Sequence, residues 1–107
     1  MTSGAIFVYV TVPSPEVAEK IATASLESRL AACANILPGM QSVYRWQGKI
    51  ERAEETVLIL KTQSVHFGAL EACIKTLHPY DTPCIVALPV AAGHKAYLDW
   101  ITAETAA

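Results

Sequence analysis

Charge is scarce in this 107-residue chain. Only 17% of its residues are charged, against about 25% in average usage. Eight Lys and Arg stand against ten Asp and Glu, for a formal net charge of −2. The cations never form a run. A nucleic-acid surface works by displacing counterions with clustered cations, so that class of function is excluded. Long apolar runs are missing as well; each is short and interrupted, so no membrane span is expected. The opening Met1-Thr2-Ser3-Gly4 puts no basic segment ahead of an apolar one, which argues against a secretion signal. Three cysteines, at positions 33, 73 and 84, are odd in number and far apart, so they make no disulfide framework. A reducing cytoplasm is the expected compartment.

Catalytic and metal signatures are equally sparse. The chain has no Gly-x-Ser-x-Gly elbow, no Gly-rich phosphate loop and no His-Glu-x-x-His. No catalytic residue is assigned, and the chain reads as a non-enzyme. Cys33 with His78 is the one pairing that resembles a nucleophile and its base, and such pairs are recognised by geometry alone. Structural zinc sites show paired ligands a few residues apart. Neither the cysteines nor His66, His78 and His94 have that spacing. Free cysteine is often a small buried hydrophobe, so each of the three is a core residue or a ligand.

What the chain does have is apolar residues, 52% of the total. Its length fits a single domain over residues 1–107. Such a domain buries roughly 65% of the surface its unfolded chain exposes. An apolar surplus in a small domain points to a subunit interface; the alternative is an Ala-rich monomer.

Ala5 to Val12 is β-branched and aromatic, which predicts a buried strand. Pro13-Ser14-Pro15-Glu16 reads as a helix start: Ser14 caps, Pro15 fits the first helical position, and Glu16 suits the positive dipole end. Val17, Ile21, Ala24 and Ser28 share one face of that helix, with Ala18, Ala22 and Ser25 beside it. Arg29 falls near its C-terminal end, where a cation is favourable. A second strand from Ala32 to Leu37 is punctuated by Pro38-Gly39 and continues from Ser42 to Trp46. Gln47-Gly48 is a two-residue turn. Lys49-Ile50-Glu51 returns, and after the polar Arg52-Ala53-Glu54-Glu55 a strand runs from Thr56 to Thr62. Ser64 is the expected cap of a second helix with an apolar stripe of Phe67, Leu70, Ile74 and Leu77. Two prolines make His78 to Pro83 a loop. Cys84 to Pro89 reads as a fourth strand, buried on both sides. Gly93 to Thr102 reads as a short terminal helix, packing through Tyr97, Leu98, Trp100 and Ile101. This order predicts an α+β fold, a ferredoxin-like split β-α-β sandwich. Its antiparallel sheet carries both main helices on one face, with the short C-terminal helix added. A small open α/β sheet is the alternative.

Two pairs of residues stand out. Lys61 ends the Leu-Ile-Leu-Lys-Thr strand and Glu51 belongs to the Gly-Lys-Ile-Glu block. Facing inward, they define a polar cleft for a small anionic ligand; otherwise they form a strand-end salt bridge. Tyr44 and Trp46 lie near the hairpin tip. Aromatic residues on a turn mark an interface, or else pack onto their own domain.

Three blocks carry a resemblance: Arg29-Leu30-Ala31-Ala32-Cys33-Ala34-Asn35-Ile36, Tyr44-Arg45-Trp46-Gln47-Gly48-Lys49-Ile50-Glu51 and His78-Pro79-Tyr80-Asp81-Thr82-Pro83. In this order and spacing the chain resembles the CutA family, the divalent-cation tolerance proteins, from about Val8 to Ile101. The resemblance implies a homotrimer in which long strands of neighbouring subunits meet edge to edge, with Tyr44 and Trp46 in the interface. Closing a ring removes an edge that would otherwise invite uncontrolled pairing. It implies copper or another divalent cation, weakly bound. Cys33, in the matching Ala-Ala-Cys-x-Asn-Ile motif, is then the copper ligand, since a soft thiolate suits Cu(I). A neighbouring subunit would supply its partners. His78 and Cys84 are the other metal candidates, and Tyr80 joins Glu51 and Lys61 in the ligand cleft. His78 alternatively hydrogen-bonds across a subunit boundary. Cys84 departs from the family, which usually carries an acidic residue there; the exchange removes a hard oxygen ligand and opens a more thiol-rich site. Two rival functions remain: a ligand-sensing regulator similar in architecture to the PII signal-transduction proteins, and a scaffold that anchors other proteins.

Overall fold

A computed structural model describes residues 4–106; Met1, Thr2 and Ser3, on which the reading of the N-terminus rests, lie outside it. The elements are β1 (Ala5–Val12), α1 (Pro15–Glu27), β2 (Cys33–Trp46), β3 (Lys49–Gln63), a 3-10 turn (Ser64–His66), α2 (Phe67–Leu77), β4 (Ile85–Pro89) and α3 (Lys95–Glu104). The strands form one antiparallel sheet in the order β2-β3-β1-β4. This is the split β-α-β arrangement, with its first and third strands central.

The core follows from strand alternation. Ile6, Val8, Val10 and Val12 of β1 point to the same side as Leu58 and Leu60 of β3, and meet Ala18, Ile21 and Ala22 of α1 and Leu70 and Ile74 of α2. The buried face of α1 is Ala18, Ile21, Ala22 and Ser25. The small side chains let the helix approach the sheet, and the Ser25 hydroxyl is satisfied by donating to the Ile21 carbonyl at 2.7 Å. Burying each large aliphatic side chain stabilises the fold by about 1.5–3 kcal/mol. Ser14 caps α1 as expected, accepting from the Val17 N–H at 3.3 Å. Pro15 occupies the first turn.

Arg29 lies beyond α1. The helix closes at Ser28, and Arg29 takes the left-handed conformation at φ 58°. Its N–H reaches the Leu26 carbonyl while the Leu30 N–H reaches Ser25, a Schellman ending with arginine where glycine is usual. The guanidinium caps a different helix. It donates to the carbonyls of Ala103 at 3.3 Å and Ala106 at 3.1 Å, at the C-terminal end of α3.

The β2–β3 hairpin is the long axis of a molecule measuring 44 × 28 × 22 Å. Gln47 (φ 50°) and Gly48 (φ 79°) both sit at positive φ, the turn whose twist matches the strands it joins. Both strands are continuous: β3 runs straight through the polar Arg52–Glu55 segment, which the sequence reading treats as a break. The Pro38-Gly39 irregularity is a β-bulge. Leu37 pairs with Val57 and Met40 with Glu55, so two residues of β2 oppose one of β3.

Three expectations are corrected. Ser64 caps no helix; it opens the 3-10 turn, and its N–H donates to the Gly4 carbonyl at 2.8 Å. Strand β4 is not buried on both sides. Its Ile85 and Ala87 pack toward the core, but Val86 (47% exposed) and Leu88 (50%) face outward. It is an edge strand, and α1 and α2 cover only one face. Helix α3 begins at Lys95 rather than Gly93; Ile101 is its buried anchor, and Trp100 stays exposed with its ring 5.7 Å from that of Tyr97.

Arg29→Ala removes both bonds to α3, and folding stability is expected to fall by about 1 kcal/mol. Urea denaturation measures it; an unchanged midpoint would show that water serves those carbonyls equally well.

Candidate functional site

The face of the sheet away from α1 and α2 is built of cross-strand rows. Cys33, Lys61, Phe7 and Leu88 form one, and Asn35, Ile59, Tyr9 and Val86 the next. The bulge then changes which residues of β2 join this face. Before it, Cys33, Asn35 and Leu37 point outward. After it, Met40, Ser42, Tyr44 and Trp46 do, opposite Glu55, Ala53, Glu51 and Lys49. Both aromatic residues therefore lie on the outer face, and Trp46 is 59% exposed.

Lys61 is held in place. Its ammonium donates to the Tyr97 hydroxyl at 3.1 Å and lies 5.0 Å from the centre of the Phe7 ring and 5.4 Å from that of Tyr97. Tyr97 thus brings α3 onto the outer face. Glu51 is ten residues away on the same continuous strand, about 33 Å at the rise of an extended chain. Glu51 and Lys61 therefore form neither one cleft nor a salt bridge within a chain.

The loop from His78 to Cys84 is fastened by its histidine. The Tyr80 N–H donates to His78 Nδ1 at 3.2 Å, which leaves the ring proton on Nε2, and Nε2–H donates to the Thr11 carbonyl at 2.8 Å. The His78 ring is buried and lies 4.8 Å from that of Tyr80. Both nitrogens are thus engaged within the chain's own backbone. Neither can ligate a metal without breaking one of these bonds, and neither reaches across a subunit boundary. Tyr80 in turn donates to Glu55 Oε2 at 3.1 Å, tying the loop to the hairpin. Burial, and then the Glu55 carboxylate, push the Tyr80 phenol above its ordinary pKa.

Between hairpin and loop lies an open groove of ≈ 730 Å³. Tyr44, Trp46 and Glu55 form one wall, and Tyr80, Asp81 and Cys84 the other. Of the expected site residues, it gathers Tyr44, Trp46, Tyr80 and Cys84. Glu55 and Asp81 were not singled out from sequence. The signal for Glu55 was available: Glu51, Ala53 and Glu55 alternate onto one face once β3 is read as unbroken.

The metal candidates do not come together in one chain. Cys33 shares a row with Lys61 and Phe7, whereas Cys84 directly precedes Ile85, the partner of Val10, and His78 is bound to Thr11. Four residues of β1 separate those levels, about 13 Å along the strand, and Cys33 is also two strands across. Among the described residues no three His, Cys, Asp or Glu are placed to hold a metal ion. The same distance separates Cys33 from His78 as a nucleophile and base.

The family model of the CutA1 divalent ion tolerance protein matches residues 6–104. The chain belongs to the CutA1 family. Among its relatives, the divalent-cation tolerance protein CutA of Thermus thermophilus is 52% identical over 98 residues, 92% of this chain and 95% of that protein. The protein of the same name from Archaeoglobus fulgidus is 50% identical over 95 residues, covering 89% and 92%. The crystal structure of CutA from Xylella fastidiosa matches with a TM-score of 0.93 at 41% identity, over 96% of this chain and 99% of that one. The ferredoxin-like CutA1 fold is thereby shared over nearly the whole chain, hairpin and loop included.

Tyr80 provides a direct test of the groove. Because its folded-state pKa is raised, its contribution to stability is level below the ordinary tyrosine range and is lost as pH climbs through the higher folded value. The Tyr80 midpoint, taken from tyrosinate absorbance as the difference between wild type and Tyr80→Phe, is expected above the ordinary range. Glu55→Gln lowers that midpoint without normalising it, since burial persists. An ordinary midpoint in the wild type would contradict the Tyr80–Glu55 contact.

Proposed function

We propose that this chain is a non-catalytic, homotrimeric divalent-cation tolerance protein. The observation that carries the reading is the near full-length match to proteins named for that role. Assembly is supported by the outer face. Leu37, Val86 and Leu88 are exposed there beside Tyr44 and Trp46, and β2 and β4 leave two open sheet edges. Joining edges around a ring pairs their free backbone groups and covers the apolar rows together.

Copper is the favoured metal because thiolates are soft ligands, and Cys33 and Cys84 are both free thiols. Their separation within one chain means that a complete donor set has to draw on more than one subunit. Free cysteines also support a reducing cytoplasm. Among relatives, a rice protein is named chloroplastic and the Archaeoglobus fulgidus structure is titled periplasmic. No helix of the described residues is long and apolar enough to cross a membrane.

Light scattering is expected to give three times the chain mass at micromolar concentration. Val86→Glu sets a charge into the uncharged row of Asn35, Ile59 and Tyr9 and is expected to shift the population to monomers that retain the native circular dichroism spectrum. A wild-type monomer mass would refute the assembly. For the metal, Cys33→Ser is expected to remove most Cu(I) affinity while the trimer persists, and Cys73→Ser to leave it unchanged. Full affinity in an assembled Cys33→Ser protein would make Cys33 a packing residue.

A further inference from the structure

The groove is walled by aromatic and acidic surface. Tyr44, Trp46 and Tyr80 supply rings, Glu55 and Asp81 supply carboxylates, and no Lys or Arg is among the wall residues. Among the described residues, no hydrogen bond or ion pair reaches the Asp81 carboxylate or Glu55 Oε1. The opposite face of the same hairpin has the complementary character. There Val43 pairs with Arg52 and Arg45 with Ile50, and the two aliphatic side chains are 61% and 55% exposed. Neither guanidinium has a hydrogen bond or ion pair among the described residues. This half of the hairpin also stands free of the rest of the sheet. Strand β1 ends at Val12, opposite Thr56, so residues 49–55 of β3 have β2 on one side only.

We propose that the groove receives the hairpin of a second copy of this chain, with Arg45 and Arg52 of one copy meeting Glu55 and Asp81 of the next while its Val43 and Ile50 cover the rings. This rests on the assembly proposed above and names the contact that closes it. Charge complementarity selects the occupant. A guanidinium forks onto a carboxylate and also lies well against an aromatic ring. Strand direction brings the two surfaces together. Each step across β2-β3-β1-β4 reverses direction, so β2 and β4 are antiparallel. Joining the β2 edge of one copy to the β4 edge of the next in the same alternation carries the hairpin past Ile85, where β4 begins. It arrives at the loop of residues 78–84 that walls the groove. The two surfaces are different patches of one chain. The contact is therefore head-to-tail and builds a ring, not a two-fold dimer. An acidic wall filled in this way opposes the small anionic ligand that the sequence suggested.

Charge exchange in the full chain tests the contact. Arg45→Glu with Arg52→Glu sets acid against acid, and Glu55→Lys with Asp81→Lys sets base against base. Each pair is expected to raise the dissociation constant of the assembly about tenfold or more. Light scattering over a dilution series at one sub-denaturing urea concentration reads it. The four substitutions together restore the complementarity and are expected to recover most of the loss; the bond from Tyr80 to Glu55 stays lost. No recovery overturns the proposal, because independent damage at the two surfaces would add rather than cancel. Cross-linking supplies a second measurement, in a Cys33→Ser, Cys73→Ser, Cys84→Ser background. Arg45→Cys with Asp81→Cys is expected to be joined by a short bis-maleimide into species of two and three chains on a denaturing gel. Arg45→Cys with Glu19→Cys on α1 is expected to stay at the mass of one chain. A trimer mass in which the Arg45→Cys, Asp81→Cys links stay within single chains overturns this contact and leaves the trimer standing. A wild-type monomer mass refutes both.

Discussion

Side chains along a strand alternate between two faces, and one extra residue reverses the assignment of everything beyond it. The β-bulge at Pro38-Gly39 is that reversal. Without it, Tyr44 and Trp46 would point to the helix side of the sheet, where Val43 and Arg45 now lie. With it, they join Cys33, Asn35 and Leu37 on the outer face, opposite Glu51 and Lys49. Gly39, at φ 79°, supplies the left-handed backbone the irregularity requires. The outer apolar face, the groove and the interface reading all depend on this reversal.

The groove also needs a second wall, and a short hydrogen-bonded chain provides it. His78 joins the Thr11 carbonyl of β1 to the Tyr80 N–H, and the Tyr80 hydroxyl continues to Glu55 on β3. Two prolines limit the conformations open to this loop before any of these bonds form. The histidine acts here as a clamp: both ring nitrogens are engaged, and the result is a positioned tyrosine beside a carboxylate.

Membership of a divalent ion tolerance family sits beside a single chain that gathers no metal site among its described residues. These two facts are compatible because the candidate thiols occupy different levels of the sheet. Cys33 lies in the row of Lys61 and Cys84 at the groove. The proposed ring of subunits would set one level of a chain against another level of its neighbour, a route by which distant residues become neighbours. The exposed Val86 and Leu88 of β4 and the open edge of β2 are the surfaces such a ring would close.

Much of the fold was legible because it is written in local chemistry. The Ser14 cap, Pro15 in the first turn, the β-branched Ala5–Val12 run and the Gln47-Gly48 turn depend on neighbours within a few residues, and each falls where the residues place it. The order of the elements added the sheet's connectivity. The site was less legible because its members meet through pairing between strands far apart in sequence. Alternation through Arg52–Glu55 marks Glu55 only once β3 is seen to be unbroken, and nothing local shows Arg29 capping α3, Lys61 resting on Phe7, or His78 reaching Thr11. Composition and local pattern determined that this chain is one small α+β domain with apolar surface to spare. Only the tertiary structure decided which face carries that surface, because register and the bulge, not residue identity, set the direction in which each strand residue points.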